Sequence, residues 1–258
     1  MNFPAHRRTL SWRSLTLLAL YCAIASGCTT MSAAGSSEYD DPFEPFNRKV
    51  FGFNRAVDRA VIKPAAKGYR AILPQFVRDR IRAIIDNLNE PLIFVNDILQ
   101  LRIDAAGTTF GRFIINSTVG LGGMFDRATT DGLPKQTGDF GQTLYRWGAA
   151  DGPYLVLPFF GPSNVRDTVG LGVDLVSSPV TYAIPRDDRF KFGLSVGIVN
   201  GIDLRERNLE ALDVLEQSAL DFYVHLRSVS RQHRAAILEQ ARKSGKTDEL
   251  VDPDAPAR

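Results

Sequence analysis

Apolar residues recur at helical spacing along most of the chain. In VRDRIRAIIDNL, Val77, Ile81, Ile84, Ile85 and Leu88 fall at offsets 0, 4, 7, 8 and 11, and Arg78, Arg80, Arg82 and Asp86 cover the opposite face. That pattern predicts an amphipathic helix. Asn89 and Pro91 then interrupt it, and PLIFVNDILQL resumes as a second, more apolar helix. Phe43, Phe46, Val50, Phe51, Val57 and Val61 form an aromatic-rich stripe on an earlier helix, and Val165, Val169, Val173 and Val176 repeat the spacing within 164–177. Residues 195–215 and 219–242 read as further helices. Only YLVLPFF, 154–160, reads as extended, and Pro158 argues against a central strand, because proline cannot donate to a ladder. The chain is therefore expected to be mostly α. No linker interrupts residues 42–240, which predicts a single domain.

One segment departs from these patterns. From Ala105 to Phe125, 21 residues, the only charge is Arg112, yet positions 107, 111, 120, 122 and 123 are glycine. It is too apolar for an exposed loop and too rich in glycine for an ordinary core helix, which predicts a bendable segment. The pentapeptide TVGLG occurs at 118–122 and again at 168–172. The residues flanking the two copies differ, so they read as a local echo of one bend chemistry rather than a duplication.

The N-terminus changes the picture. His6, Arg7, Arg8 and Arg13 precede the apolar run LTLLALYCAIA with no acid among them, the form of a secretory signal too short to span a bilayer. ASGC, 25–28, resembles a bacterial lipobox, which makes residues 1–27 the signal and Cys28 the acylated first residue. An ordinary cleavable signal with an incidental cysteine is the alternative. Cys22 leaves with the signal, so Cys28 has no intramolecular partner. Acyl chains on it would contribute about 0.8 kcal/mol per buried CH₂ to membrane attachment. Thr29 stands where aspartate would favour inner-membrane retention, so the outer membrane is expected. Residues 28–41 form a lipidated polar tether; its thirteen residues after Cys28 reach roughly 20 Å as a random coil. The 241–258 tail has no apolar face and is expected to be disordered. The chain from Cys28 carries 28 basic and 29 acidic side chains, with no basic stripe for nucleic acid.

Catalytic and metal-binding patterns are weak. GLSVG, 193–197, matches the G-x-S-x-G nucleophile elbow with Ser195 at its centre, and Asp203, Asp213 or Asp221 precede His225 and His233 in hydrolase order. That elbow needs a buried strand ahead of it, and RDDRFKF is charged and short. His225 and His233 lie eight apart with no ligand at helical spacing, so no metal or other cofactor is expected. VGLGGMF lacks the third glycine of a dinucleotide fingerprint.

Four blocks, DPFEPFNRKVFGFN (41–54), NLNEPLIFVNDILQ (87–100), GRFIINSTVGLGGMFD (111–126) and FGQTLYRWGAADGPYLVLPFFGPSNVRD (140–167), resemble successive motifs of the VacJ/MlaA outer-membrane lipoproteins. The resemblance covers about residues 41–230. It implies a ring-like assembly of amphipathic helices around a central channel, embedded in the inner leaflet of the outer membrane. It further implies that phospholipids misplaced in the outer leaflet pass through the channel to a soluble periplasmic phospholipid carrier, maintaining lipid asymmetry, with trimeric porins holding the ring and no enzyme chemistry at this step. Channel or hinge candidates are Phe53, Asn54, Phe113, Asn116, Gly120, Gly122 and Gly123, and Cys28 is the anchor. Asn116, Ser117 and Thr118 could bond headgroups without fixed charge; equally, Asn116 reads as a helix cap and Phe113, Ile114 and Ile115 as core. The rival readings are a porin-associated structural lipoprotein and a serine lipid hydrolase using Ser195.

Overall fold

The computed structural model describes residues 41–243. Cys28, the signal, the tether as far as residue 40 and the tail from 244 lie outside the described residues. The chain begins with α1 (Glu44–Val57), continues through a π-helical turn (Asp58–Ile62) into α2 (Lys63–Ile72), and turns at Leu73–Pro74 into α3 (Gln75–Leu99). Then come α4 (Ile103–Thr118), the short α5 (Arg127–Thr130) and α6 (Phe140–Arg146). A hairpin of β1 (Tyr154–Leu157) and β2 (Gly161–Asn164) precedes α7 (Val165–Ser177) and α8 (Pro179–Ala183). The chain ends with α9 (Arg189–Arg207), α10 (Leu209–Ser218) and α11 (Phe222–Lys243). The mostly helical expectation holds, and the last helix runs through Lys243 with Ala241 buried.

Asn89 and Pro91 do not divide a helix. α3 continues through Pro91 for 25 residues. An internal proline forfeits one i→i−4 bond and crowds the preceding turn. Here α4 lies antiparallel along α3 and clasps both sides of that point. The contacts run in register: Asn87 with Ser117 at 3.0 Å, Glu90 with Arg112 at 2.8 Å, Phe94 against Phe110 with centroids 5.6 Å apart, and Asp97 with Thr109 at 2.7 Å. Tertiary pairing outweighs the local penalty. The expected helix 195–215 is instead two, parted at Asn208.

The two TVGLG copies fold differently, which corrects the single bend chemistry expected of them. The first closes α4 and turns. The second lies inside α7, where Gly170 touches the backbone of α6; a Cβ there would sit 2.3 Å from the Gly141 nitrogen. The same five residues thus bend at one place and stay helical at the other.

The hairpin is antiparallel, with Tyr154 opposite Asn164 and Leu157 opposite Gly161, and Pro158 sits in its tip rather than in a strand. α1 occupies the open edge of β1 without being a strand. Asn47 donates to the Tyr154 carbonyl at 3.0 Å and accepts from Val156 N–H at 2.9 Å. Asn54, two turns on, donates to the Leu157 carbonyl and accepts from Phe159 N–H, both at 2.9 Å. Asn47 thereby reproduces the donor–acceptor pair that a neighbouring strand would offer, and Asn54 clamps the hairpin tip. Under this contact lies an apolar cluster of Tyr154, Val156 and Tyr223, with Val50 and Phe51 against it.

Elsewhere the interior is polar. Among the described residues eleven apolar side chains are buried, five of them alanines, against eighteen polar or charged ones, whereas thirty-three large hydrophobics are exposed. Folding in which water is simply expelled from apolar surface gives the reverse distribution.

Replacing Asn47 by alanine leaves the Tyr154 carbonyl and Val156 N–H buried without partners. The expected loss is about 3 kcal/mol, the sum of two orphaned groups. Thermal unfolding in detergent checks it: Asn47→Ala should melt well below wild type and Asn54→Ala, half-buried, should fall between them. Equal melting temperatures would refute the edge-pairing role.

Candidate functional site

The glycine-rich segment is built from the end of α4 outward. Past Thr118 the chain folds back on itself: Gly120 N–H donates to Ile115 O at 3.0 Å, Gly122 N–H to Ser117 O at 3.0 Å and Gly123 N–H to Asn116 O at 2.8 Å. Phe125 N–H closes the turn onto Gly120 O at 3.0 Å. Leu121, Gly122 and Gly123 take φ of 54°, 71° and 89°, a left-handed run that L side chains resist. Gly123 also has no room for a side chain, since a Cβ would come within 2.5 Å of Asn87. From α3, Arg80 donates to Met124 O at 3.0 Å and stacks over the Phe125 ring. The segment is a bend locked by backbone hydrogen bonds.

Beneath the bend lies a charged knot. Arg112, almost wholly buried, donates through Nε to Glu90 at 2.8 Å, through Nη1 to Thr129 Oγ1 and Leu133 O, and through Nη2 to Asp126. Asn116 donates to Asp126 at 3.1 Å and accepts from Ala128 N–H at 3.0 Å. Burial pushes the Glu90 carboxyl up, against the pull of Arg112. Partial burial pushes Asp126 the same way, but hydrogen bonds from Thr129, Asn116 and Arg112 outweigh it and bring its pKa down to about 2.

These contacts place the sequence candidates. Asn116 is buried, with both side-chain ends engaged; Ser117 accepts from Asn87, and Thr118 donates to the Ile114 carbonyl. Phe113 is half-buried, Gly120 and Gly123 are buried and Gly122 is exposed. Phe53 is exposed on α1, and its ring meets Phe159 of the hairpin tip edge-on at 5.4 Å. Asn54 is the hairpin clamp. Among the described residues no hydrogen bond or ring contact joins the Phe53–Asn54 group to the glycine bend. Ser195 is exposed in the middle of α9, with no strand before it, so its motif is not an elbow; His225 and His233 are exposed on α11.

Sequence reasoning missed an ionic seam. Asp203, Glu206, Glu210, Asp213 and Glu216 form a stripe along α9 and α10. Glu216 meets Arg55 and Arg59, Asp213 meets Lys63 at 2.7 Å, Glu210 and Glu206 meet Arg70, Glu206 meets Arg78, and Asp203 meets Arg82 at 3.0 Å. The three- and four-residue spacing of the acids was the available signal. Large apolar side chains face outward: Phe46 and Phe53 on α1 with Phe43 just before it, Phe110 and Ile114 on α4, Phe159 and Phe160 at the hairpin tip, and Phe190, Leu194 and Ile198 on α9. No helix among the described residues is long and apolar enough to cross a membrane.

Two outcomes test the bend. Gly123→Ala forces both left-handed strain and a clash with Asn87, and should cost about 2 kcal/mol or more, whereas Gly122→Ala, with open space, should cost about 1 kcal/mol; chemical denaturation in detergent separates them, and equal values would contradict the packing. Because the folded Asp126 carboxyl titrates near 2, below its ordinary 3.8, its stabilisation is fully present above the ordinary value and is lost as pH falls from there through about 2. Stability measured from pH 5 to 2 should therefore fall less steeply in Asp126→Asn; parallel curves would remove Asp126 from the knot's energetics.

A family model described as MlaA lipoprotein matches residues 39–237. A protein of Rickettsia felis is 39% identical over 206 residues, 80% of each chain. The intermembrane phospholipid transport system lipoprotein MlaA of Haemophilus influenzae is 34% identical over 223 residues, 84% of this chain and 87% of its own. Its counterpart of the same name in Escherichia coli K12 is 32% identical over 219 residues, 83% and 84%. A solved structure reported as the structural basis for maintenance of bacterial outer membrane lipid asymmetry superposes with a TM-score of 0.68 and 30% identity, over 77% of this chain and 99% of that one. The chain belongs to the MlaA lipoprotein family.

Proposed function

We propose that this protein is an outer-membrane lipoprotein, anchored through Cys28 on the periplasmic side, that removes phospholipids misplaced in the outer leaflet and hands them to a periplasmic carrier. Its amphipathic helices lie within the inner leaflet as a ring-like assembly around a central channel, with trimeric porins as neighbours. The observation that carries this reading is the reversed polarity of the body: ion pairs inside and large apolar side chains outside. In water each exposed phenylalanine or leucine forgoes about 25 cal/mol per Å² of burial. Against acyl chains that loss disappears, and helices then need polar contacts and close packing to find one another, because lipid supplies no hydrophobic drive between them. Interfacial placement also suits helices too polar to span.

Transport by this route breaks no bond. The Ser195 motif offers no nucleophile elbow, which favours transfer over hydrolysis. Phe53, Asn54, Phe113, Asn116, Gly120, Gly122 and Gly123 are the residues we assign to the lipid path and its bend. Gly122, exposed beside Val119, Leu121 and Met124, gives an acyl chain close access to backbone at an otherwise apolar rim.

The test is the amount of outer-leaflet phospholipid open to added phospholipase in cells lacking the gene. It should rise, and both the wild-type gene and Ser195→Ala should reverse it. No rise would favour a porin-associated structural role, and failure of Ser195→Ala alone would favour a hydrolase.

A further inference from the structure

The seam that joins α9 and α10 to the first helices changes character along its length. Its α9 end is sealed from water. Asp203, Arg205 and Glu206 are buried there, and Arg205 grips Asp58 through Nε at 2.8 Å and Nη2 at 3.1 Å. The α10 end is wet. Glu216 meets Arg55 and Arg59, Asp213 meets Lys63 at 2.7 Å, and Glu210 meets Arg70, with the side chains of Arg59 and Glu210 56% and 70% exposed. We propose that α10 is an electrostatic latch, which competing ions release from α1 and α2 while the end of α9 stays in place.

Little besides charge holds this helix down. Leu209 is the one buried side chain of α10, and it sits at the very start, next to Asn208. Among the described residues, the hydrogen bonds and ion pairs that tie α10 to α1, the π-helical turn and α2 all end on Glu210, Asp213 and Glu216. Asp213 also lies 3.5 Å from Arg205, a contact within the α9–α10 pair that release need not break. Lys63 holds the Asp213 carboxyl below the ordinary carboxylate range, and Arg70 does the same to Glu210, so these rungs are charged when the latch is closed. Exposed pairs contribute little each, and salt screens them over a distance that shrinks from about 10 Å at 0.1 M to about 3 Å at 1 M. The Arg112–Glu90 pair, 2% and 1% exposed, is shielded from that screening.

The backbone permits the motion. α9 ends at Asn208 with φ −104° and ψ 16°, and α10 ends at Ala219, which is extended at φ −83° and ψ 129° and is followed by the fully exposed Leu220. Beyond both points the chain is fixed again. Asp203, Arg205 and Glu206 secure it upstream; downstream, Asp221 meets Arg48 at 2.7 Å and Tyr223 is buried. A helix between two bendable residues, each next to an anchored one, can rock about the line joining them, and hinges are commonly such element-terminal positions. Under α10 lies a cleft of about 260 Å³, where Lys67, Arg70 and Ala71 of α2 face Leu209, Glu210 and Asp213. Rocking outward widens that cleft and uncovers the two cations of α2. Few buried apolar contacts and exposed bonds are the marks of a segment that opens ahead of the whole.

Hydrogen exchange of the full-length lipidated protein in detergent, read by mass spectrometry, tests the latch. Between about 0.05 M and about 1 M NaCl, residues 209–218 should exchange about tenfold faster, whereas residues 203–207 and the stretches around Glu90 and Arg112 should change by less than about twofold. Asp213→Asn combined with Glu216→Gln, at partly exposed positions, should show the fast rate already at low salt and lose most of the salt response, with the helical circular dichroism of wild type. Should that pair fail to fold, Glu210→Gln alone, at the most exposed rung, should still speed exchange of α10 at low salt. Exchange of 209–218 that ignores salt overturns the latch. So does an equal response in 203–207, which would mean that the two helices move as one. A folded double variant that responds to salt as wild type does removes the ion pairs as the cause. Lipid transport stands or falls separately from each of these outcomes.

Discussion

Arg112 reaches from α4 into a cage made by Glu90 of α3, Asp126, Thr129 and the Leu133 carbonyl, and on that pairing the rest of the body depends. A guanidinium taken out of water with one partner missing costs several kcal/mol, so such a contact is strongly selective for one arrangement of its helices even where its net contribution is small. The same device recurs. Arg102 joins Asp97 in the α3–α4 turn, Arg234 fastens α11 to Asp139 and Asp167, and Arg205 bridges Asp58 and Asp213. Alanine fills much of what apolar interior remains, letting helices approach closely enough for these side chains to meet.

The secondary structure was largely legible because its cause is local. The offsets of Val77 to Leu88 gave a helix, Asn164 marked the start of α7 and does cap it through Asp167 N–H, and Pro158 kept the extended segment short. Pro91 was misread because its rescue lies on α4, at Ser117, Arg112, Phe110 and Thr109, none of which a window on α3 contains. Arg78 and Arg82 looked like a solvated face and proved to be half of the seam with α9. A polar helical face facing water and one facing an oppositely charged helix have the same sequence pattern.

The candidate site was legible in a different way. Phe53 and Asn54 came from block resemblance and the glycines of 120–123 from the nearly uncharged, glycine-rich composition of 105–125, and the geometry supplies local reasons for several of them: a ring contact, an amide clamp and a left-handed turn. Asn47 makes a like pair of bonds seven residues earlier, yet nothing marked it, since an amide on an amphipathic helix carries no sign of the strand edge it will meet.

The polar interior also dictates an order of events. Glu90 and Arg112 neutralise each other only when α3 and α4 are already side by side. Placed singly in hydrocarbon, either helix would carry a bare charge at a cost of several kcal/mol. Pairing α3 with α4 while both are hydrated avoids that cost, so the charges that make the interior polar favour a body assembled in water over one assembled in oil.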